Sequence, residues 1–151
     1  YAAANGKQGF GVLSNNFSLA RMNNPIWPGV AACSDDDYRT WLEETGTALF
    51  SWSSQARGFF TDRAGPDIKT DHDLVYAFYS DDNFERRRRA YELAEKKNVH
   101  PMTVALAYVL TQKMPTCALV GPRTLAELRT SLAVFDLSLT EDEVAWLDLR
   151  G

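Results

Sequence analysis

The chain is poor in the residues that staple or metallate small proteins. Its 151 residues include two cysteines and two histidines, too few for a disulfide framework or a metal-ligand cluster. Cys33 lies in a polar loop and Cys117 in an apolar run, and both read as structural thiols. Basic residues do not prevail either: 16 Lys and Arg against 20 Asp and Glu leave a net charge of −4 and a pI near 5.1. That balance argues against a nucleic-acid or anionic-membrane partner. The longest uninterrupted apolar run, Val104 to Leu110, is too short to span a bilayer, and no charged-then-apolar leader opens the sequence. A cytoplasmic location fits these absences. An initiator methionine is also lacking, and Tyr1 to Gly6 reads as the end of a helix closed by Gly6 in the left-handed conformation. The expectation is that something precedes it.

What is present is a globular composition. Residues are 45% hydrophobic and 24% charged, enough for one core, and residues 1–151 are expected to form a single domain. Phe10 to Leu13 reads as a short buried strand, and residues 14–34, rich in Asn, Pro and Gly, as loop. Ser34 before Asp35, Asp36 and Asp37 predicts a helix start; Tyr38, Trp41 and Leu42 supply its apolar face and Gly46 its end. Ala48 to Trp52 is the next strand. From Ser53 to about Ser80 runs a polar connection of a length that compact domains usually keep for function.

Helices are expected over 81–97, from His100-Pro101 onward, over 124–135 and over 140–149, with a third strand at Thr116 to Val120. Met102, Ala105, Leu106, Val109 and Leu110 recur at i, i+3, i+4, i+7 and i+8, the spacing of a buried stripe. Strands alternating with helices predict a parallel sheet with crossover helices. Three such strands covered on one side only leave a bare face, so the chain reads as part of a larger barrel or sheet.

One junction stands out. In Ala118-Leu-Val-Gly-Pro-Arg-Thr124, an arginine stands where a strand hands over to a helix. Thr124 and Glu127 have capping-box spacing, which explains the threonine. It does not explain Arg123, because a helix N-terminus is already partly positive. A phosphate seated between the two would remove the conflict.

Taken together, LFSWSSQARGFF (49–60), Asn83-Phe-Glu-Arg86, VALAYVL (104–110), LVGPRT (119–124) and LTEDEV (139–144) resemble the C-terminal half of the aldo-keto reductases. The resemblance covers nearly the whole chain. It implies part of a (β/α)8 TIM-type barrel, and an oxidoreductase that reduces aldehydes or ketones with NADPH. It further implies that Trp52, ending the seventh strand, stacks on the nicotinamide. Ser53, Ser54, Gln55, Arg57 and Gly58 would wrap the pyrophosphate, with Arg63 alongside. Gly121, Arg123 and Thr124 would sit by the adenosine 2′-phosphate. Glu127, Thr130 and Ser131 occupy positions around the adenine, where the family commonly has Gln, Glu and Asn. Ser14 stands where the sixth strand usually presents a glutamine to the carboxamide.

The chain also departs from the pattern. Ser54 and Gln55 replace a usual Pro-Leu. Glu127 beside a doubly charged phosphate would be repulsive unless its cap occupies it, which leaves NADPH against NADH open. Ser14-Asn15-Asn16-Phe17 is similar to a fifth-strand motif of the family, but the order of landmarks puts it one strand later, so the likeness is a coincidence. The catalytic Asp, Tyr, Lys and His of such enzymes lie on the second to fourth strands, which this chain lacks by resemblance. His72, His100, Tyr76 and Tyr79 do not rebuild that set: His100 is expected as a helix cap on the outside of a barrel, and His72 as a solvated loop residue.

Glu85-Arg-Arg-Arg-Arg89 reads as a solvated helix face rather than a nucleic-acid stripe, and Trp27, Trp41 and Trp146 as packing. The leading expectation is thus the NADP(H)-binding part of an aldo-keto reductase-like protein, inactive alone. The alternative is a non-catalytic binding or interaction module whose bare sheet face meets a second copy or a different chain, or one half of a split enzyme completed by an N-terminal half.

Overall fold

Three short strands form one parallel sheet in the computed structural model, which describes residues 1–150. They are β1 (Val12–Leu13), β2 (Ala48–Ser51) and β3 (Thr116–Ala118), in spatial order β1-β2-β3. Leu13 pairs with Leu49, Leu49 with Thr116, and Phe50 with Cys117. Because side chains alternate along a strand, this register sorts them onto two faces. Leu49 and Ser51 are wholly buried, whereas Phe50 between them is 38% exposed. The first set faces the helices and the second set faces open space.

Six α-helices follow: α1 (Asp36–Thr45), α2 (His72–Phe78), α3 (Asp81–Lys97), α4 (Pro101–Leu110), α5 (Leu125–Leu132) and α6 (Glu141–Leu147). Their limits follow from local chemistry. Gly46 ends α1 at φ +63°, and Asn98 ends α3 at φ +53°. Ser80 caps α3, and His100 caps α4 ahead of Pro101 in the first turn. Thr140 and Glu143 form the full capping box of α6. Helix α4 is the centre of the packing: all its residues from Met102 to Val109 are buried, and it contacts α3, α5 and β3. Each large side chain buried there contributes roughly 1.5–3 kcal/mol.

The polar interior is organised around Asp148, which is almost fully buried. Its carboxylate accepts from Arg21 at 3.1 Å, Arg39 at 3.2 Å and Arg150 at 2.7 Å. Asn83, wholly buried in α3, accepts the Arg21 N–H at 2.9 Å and donates to the carbonyls of Arg21 (2.7 Å) and Phe78 (2.8 Å). These bonds tie the segment after β1 to the start of α3 and the end of the chain.

Several expectations are corrected. Phe10 is fully exposed, and β1 begins only at Val12, because it is an edge strand with no neighbour on its outer side. The opening turn at Ala3–Asn5 is a 3-10 turn, though Gly6 does close it at φ +61°. Helix α1 is preceded by Asp35 rather than Ser34, with no side-chain cap bond. Residues 14–34 form no helix or named strand, as expected of a loop, but Asn16 to Ala20 within them are buried, with Asn16 bridging to Ala32 and Trp52. The polar connection from Ser53 to Ser80 contains α2, so His72 begins a helix. The helix expected to 135 ends at Leu132 in a 3-10 turn, Ala133–Asp136. Arg86 is buried, so the arginine run is not wholly solvated.

Candidate functional site

Crossover helices run antiparallel to their strands, which brings the C-terminal ends of β2 and β3 together with the N-termini of α4 and α5. An open cleft of about 800 Å³ lies at that end, within the range of small-molecule sites. The segment after β2 contributes Ser53, Ser54, Gln55, Arg57, Gly58 and Arg63 to it. From beyond β3 come Gly121, Arg123, Glu127, Thr130 and Ser131. Of the residues singled out from the sequence, Ser14, Trp52 and Thr124 stand outside its lining.

The loop after β2 holds an unusual backbone. Ser53 (φ +48°), Ala56 (φ +47°) and Arg57 (φ +54°) are non-glycine residues in the left-handed region, followed by Gly58 at φ +88°. Such residues are uncommon and each costs about 1–3 kcal/mol. The fold holds them from both sides. Ser54 Oγ donates to the Leu119 carbonyl at 2.7 Å, and Gln55 Nε2 to Ser131 Oγ at 3.0 Å, joining the loop to β3's exit and to α5. Arg87 of α3 donates to the carbonyls of Phe59 (3.0 Å) and Thr61 (3.2 Å), below two fully buried rings, Phe59 and Phe60.

Two arginines of this loop reach to the start of α2. Arg57 Nη2 lies 3.3 Å from Asp73 Oδ2, and Arg63 Nη2 lies 2.8 Å from Asp71 Oδ2. Arg57 Nε is buried without a hydrogen-bond partner. The Arg63 side chain lies against Gly58, where an added Cβ would stand 3.5 Å from Nη1.

At the other side, Thr124 Oγ1 accepts the Glu127 N–H at 3.1 Å, as expected of a cap. The reciprocal bond is displaced by one residue: Glu127 Oε2 accepts the N–H of Arg123, at 2.6 Å. The carboxylate is therefore occupied at the mouth of α5, and Arg123 is exposed beside it.

Trp52 sits at the end of β2, two residues beyond Phe50 and so on the open face of the sheet. Its N–H donates to the Asn15 carbonyl at 3.1 Å, and Asn16 Nδ2 donates to its carbonyl at 3.2 Å. Asn16 is buried, and its Oδ1 has no partner. Trp27, expected only as packing, lies 5.6 Å from Trp52, ring centre to ring centre, tilted by 57°. Ser14 Oγ donates to the Phe50 carbonyl at 3.3 Å.

The sequence reading missed part of the lining. His100 caps α4 as expected, its Nδ1 accepting the Met102 N–H at 3.1 Å, but that helix end opens onto the cleft, so His100 and Met102 border it. The antiparallel sense of a crossover helix was the available signal. His72 and Tyr76 stack in the open, and the Tyr79 hydroxyl donates to the Ile68 carbonyl at 2.5 Å, so none is held as a proton donor to the cleft. No cluster of three or more metal-ligating side chains occurs among the described residues, and none of their helices is long and apolar enough to cross a membrane.

Comparison with known proteins agrees with this geometry. A family model described as the aldo/keto reductase family matches residues 31–149. Among solved structures, a thermostable aldo-keto reductase in complex with the inhibitor epalrestat superposes with a TM-score of 0.63 at 16% identity. The match covers 93% of this chain and 39% of that one. At that identity the likeness concerns the fold: three parallel strands with outer helices correspond to part of a barrel.

Proposed function

The chain belongs to the aldo/keto reductase family, and on that premise we propose that it forms the NADP(H)-binding portion of an oxidoreductase acting on aldehydes or ketones. One observation carries the reading: a single cleft gathers the strained loop after β2, its two arginines, and Arg123 at the start of α5. These groups suit a dinucleotide's phosphates. On this reading Arg57 and Arg63 would meet a pyrophosphate in charge-assisted hydrogen bonds, which the buried, unpartnered Arg57 Nε supports as a donor in want of an acceptor. Arg123, exposed at the start of α5, suits a further phosphate.

Bound NADPH would supply a hydride to the carbonyl carbon. The chain's own residues would bind and orient. Trp52, fixed through Asn15 and Asn16, offers an aromatic shelf at the end of β2. The Gln55–Ser131 bond keeps the two sides of the cleft at a set spacing. By resemblance, the Asp, Tyr, Lys and His that polarise the carbonyl belong to strands outside this chain, and the 151 residues alone are expected to turn over no substrate.

The test is a titration with NADPH, followed by quenching of tryptophan fluorescence, with NADH as competitor. Saturable quenching that is lost in Trp52→Ala and Arg123→Ala supports the reading. Absence of quenching at near-millimolar cofactor overturns it for the chain as it stands.

The bare face of the sheet favours a second reading, an interaction module or half of a split enzyme. Val12 and Leu119 are about as open as Phe50 there, an apolar surface of the kind that marks protein contacts. A monodisperse monomer that binds no hydrophobic dye would sink it.

A further inference from the structure

Each phosphate-directed arginine of the β2 loop is already held by a carboxylate from one short helix. Asp73 in the first turn of α2 pairs with Arg57, and Asp71, the residue before that helix, pairs with Arg63. Both oxygens of Asp71 are engaged, Oδ2 accepting from Arg63 at 2.8 Å while Oδ1 accepts the Leu74 N–H at 3.1 Å and so caps α2. Each of these two positive charges thus has a negative partner within 3.3 Å, which offsets the attraction that the arginines would offer an arriving polyphosphate.

We propose that Asp71 and Asp73 are affinity-setting residues, internal competitors that a dinucleotide's phosphates must displace from Arg63 and Arg57. This rests on the cofactor reading above and extends it to residues outside the cleft's phosphate-binding set. The pairs suit displacement. Arg63 and Asp73 are each about half exposed (49% and 51%), so both are in contact with water and neither pair is locked by burial. Ion pairs of this kind are weak, whereas a bidentate arginine–phosphate contact is stronger. The exchange therefore favours phosphate while lowering its apparent affinity. It also couples the site to α2, because Arg63 and the Leu74 N–H share one carboxylate: when Arg63 turns to phosphate, Asp71 loses the charge that orients it as a cap.

The experiment compares the intact chain with Asp73→Asn and Asp71→Asn, the asparagine at 71 remaining a competent cap. Each is titrated with NADPH by fluorescence and with inorganic pyrophosphate by calorimetry at low and high salt, and amide exchange of residues 74–78 is followed. The expected result is two- to fivefold tighter binding of both probes by each variant at low salt, a gain that shrinks at high salt. In the unaltered chain, ligand should also speed exchange in α2. Tighter pyrophosphate binding with no NADPH binding in any form supports the competition and overturns only the cofactor reading. Unchanged or weaker pyrophosphate binding in both variants overturns the proposal, since the aspartates would then be presenting the arginines rather than withholding them.

Discussion

The Glu127 carboxylate accepts the backbone N–H of Arg123 at 2.6 Å, so a negative charge already sits where an anion would approach the start of α5. On the proposed cofactor reading, that relationship bears on which nicotinamide dinucleotide the cleft would prefer. If the adenosine end is held there as proposed, a 2′-phosphate would share this corner with Glu127, whereas a free 2′-hydroxyl would meet no such conflict. Glu127→Gln keeps an acceptor for the Arg123 N–H and removes the charge. The expected outcome is a several-fold shift of the NADPH-to-NADH ratio of dissociation constants toward NADPH, read from parallel fluorescence titrations. An unchanged ratio would show that the carboxylate faces away from the phosphate.

The Asp148 knot makes the end of the chain part of the core. Three arginines converge on a carboxylate whose side chain is 4% exposed. Removing one member of a buried ionic group strands the others at about 3–5 kcal/mol, and the partial exposure of Arg21 and Arg150 reduces this. Asp148→Asn is expected to lower unfolding free energy by roughly 2–4 kcal/mol, measured as a drop in urea midpoint at unchanged slope.

The two thiols should react very differently. Burial pushes the Cys33 thiol up to about 11, so at pH 8 almost none of it is thiolate, and the site is closed to reagent as well. Cys117 is exposed on the open face of the sheet, beside Phe50. Labelling with iodoacetamide followed by intact mass is expected to add one group, at Cys117, which was read from sequence as a structural thiol. Protection of Cys117 at high protein concentration would report that the face is covered by a second copy.

Acid should act late on α3. Hydrogen bonds from Arg88 and Arg89 hold the Glu85 carboxyl down at about 2. A carboxyl depressed in the folded state contributes stability above its unfolded value near 4 and loses it as the pH falls toward 2. The pair is open to solvent, so the effect is small. Glu85→Gln is expected to flatten the loss of stability between about pH 4 and pH 2, followed by thermal melts monitored through helical circular dichroism. A parallel decline in both proteins would mean the ion pairs do not persist in solution.

Much of the local structure is legible in the sequence. The limits of α3 are visible in Ser80 and Asn98, those of α4 in His100-Pro101, and the box at Thr140 and Glu143 announces α6. Each is a short-range arrangement between a side chain and its own backbone, complete within four residues. Helix α2 escaped notice because it is only seven residues long, and its cap, Asp71, looks like one more acid in a polar stretch. The corner where Arg123 meets Thr124 stands out from its local pattern alone, and the likeness of motif order to a family of barrels is likewise a property of the linear chain.

The sequence by itself determined which residue types arrive at the C-terminal ends of the strands, because register and alternation follow from the chain's own periodicity. Only the tertiary structure decided what those residues do with one another. Trp27 lies on Trp52, Asp71 and Asp73 hold Arg63 and Arg57, and Glu127 reaches Arg123 one residue beyond its expected cap. The physical reason is that hydrogen bonds and ion pairs between segments depend on distances of about 3 Å, and such distances between residues far apart in the chain are set by packing.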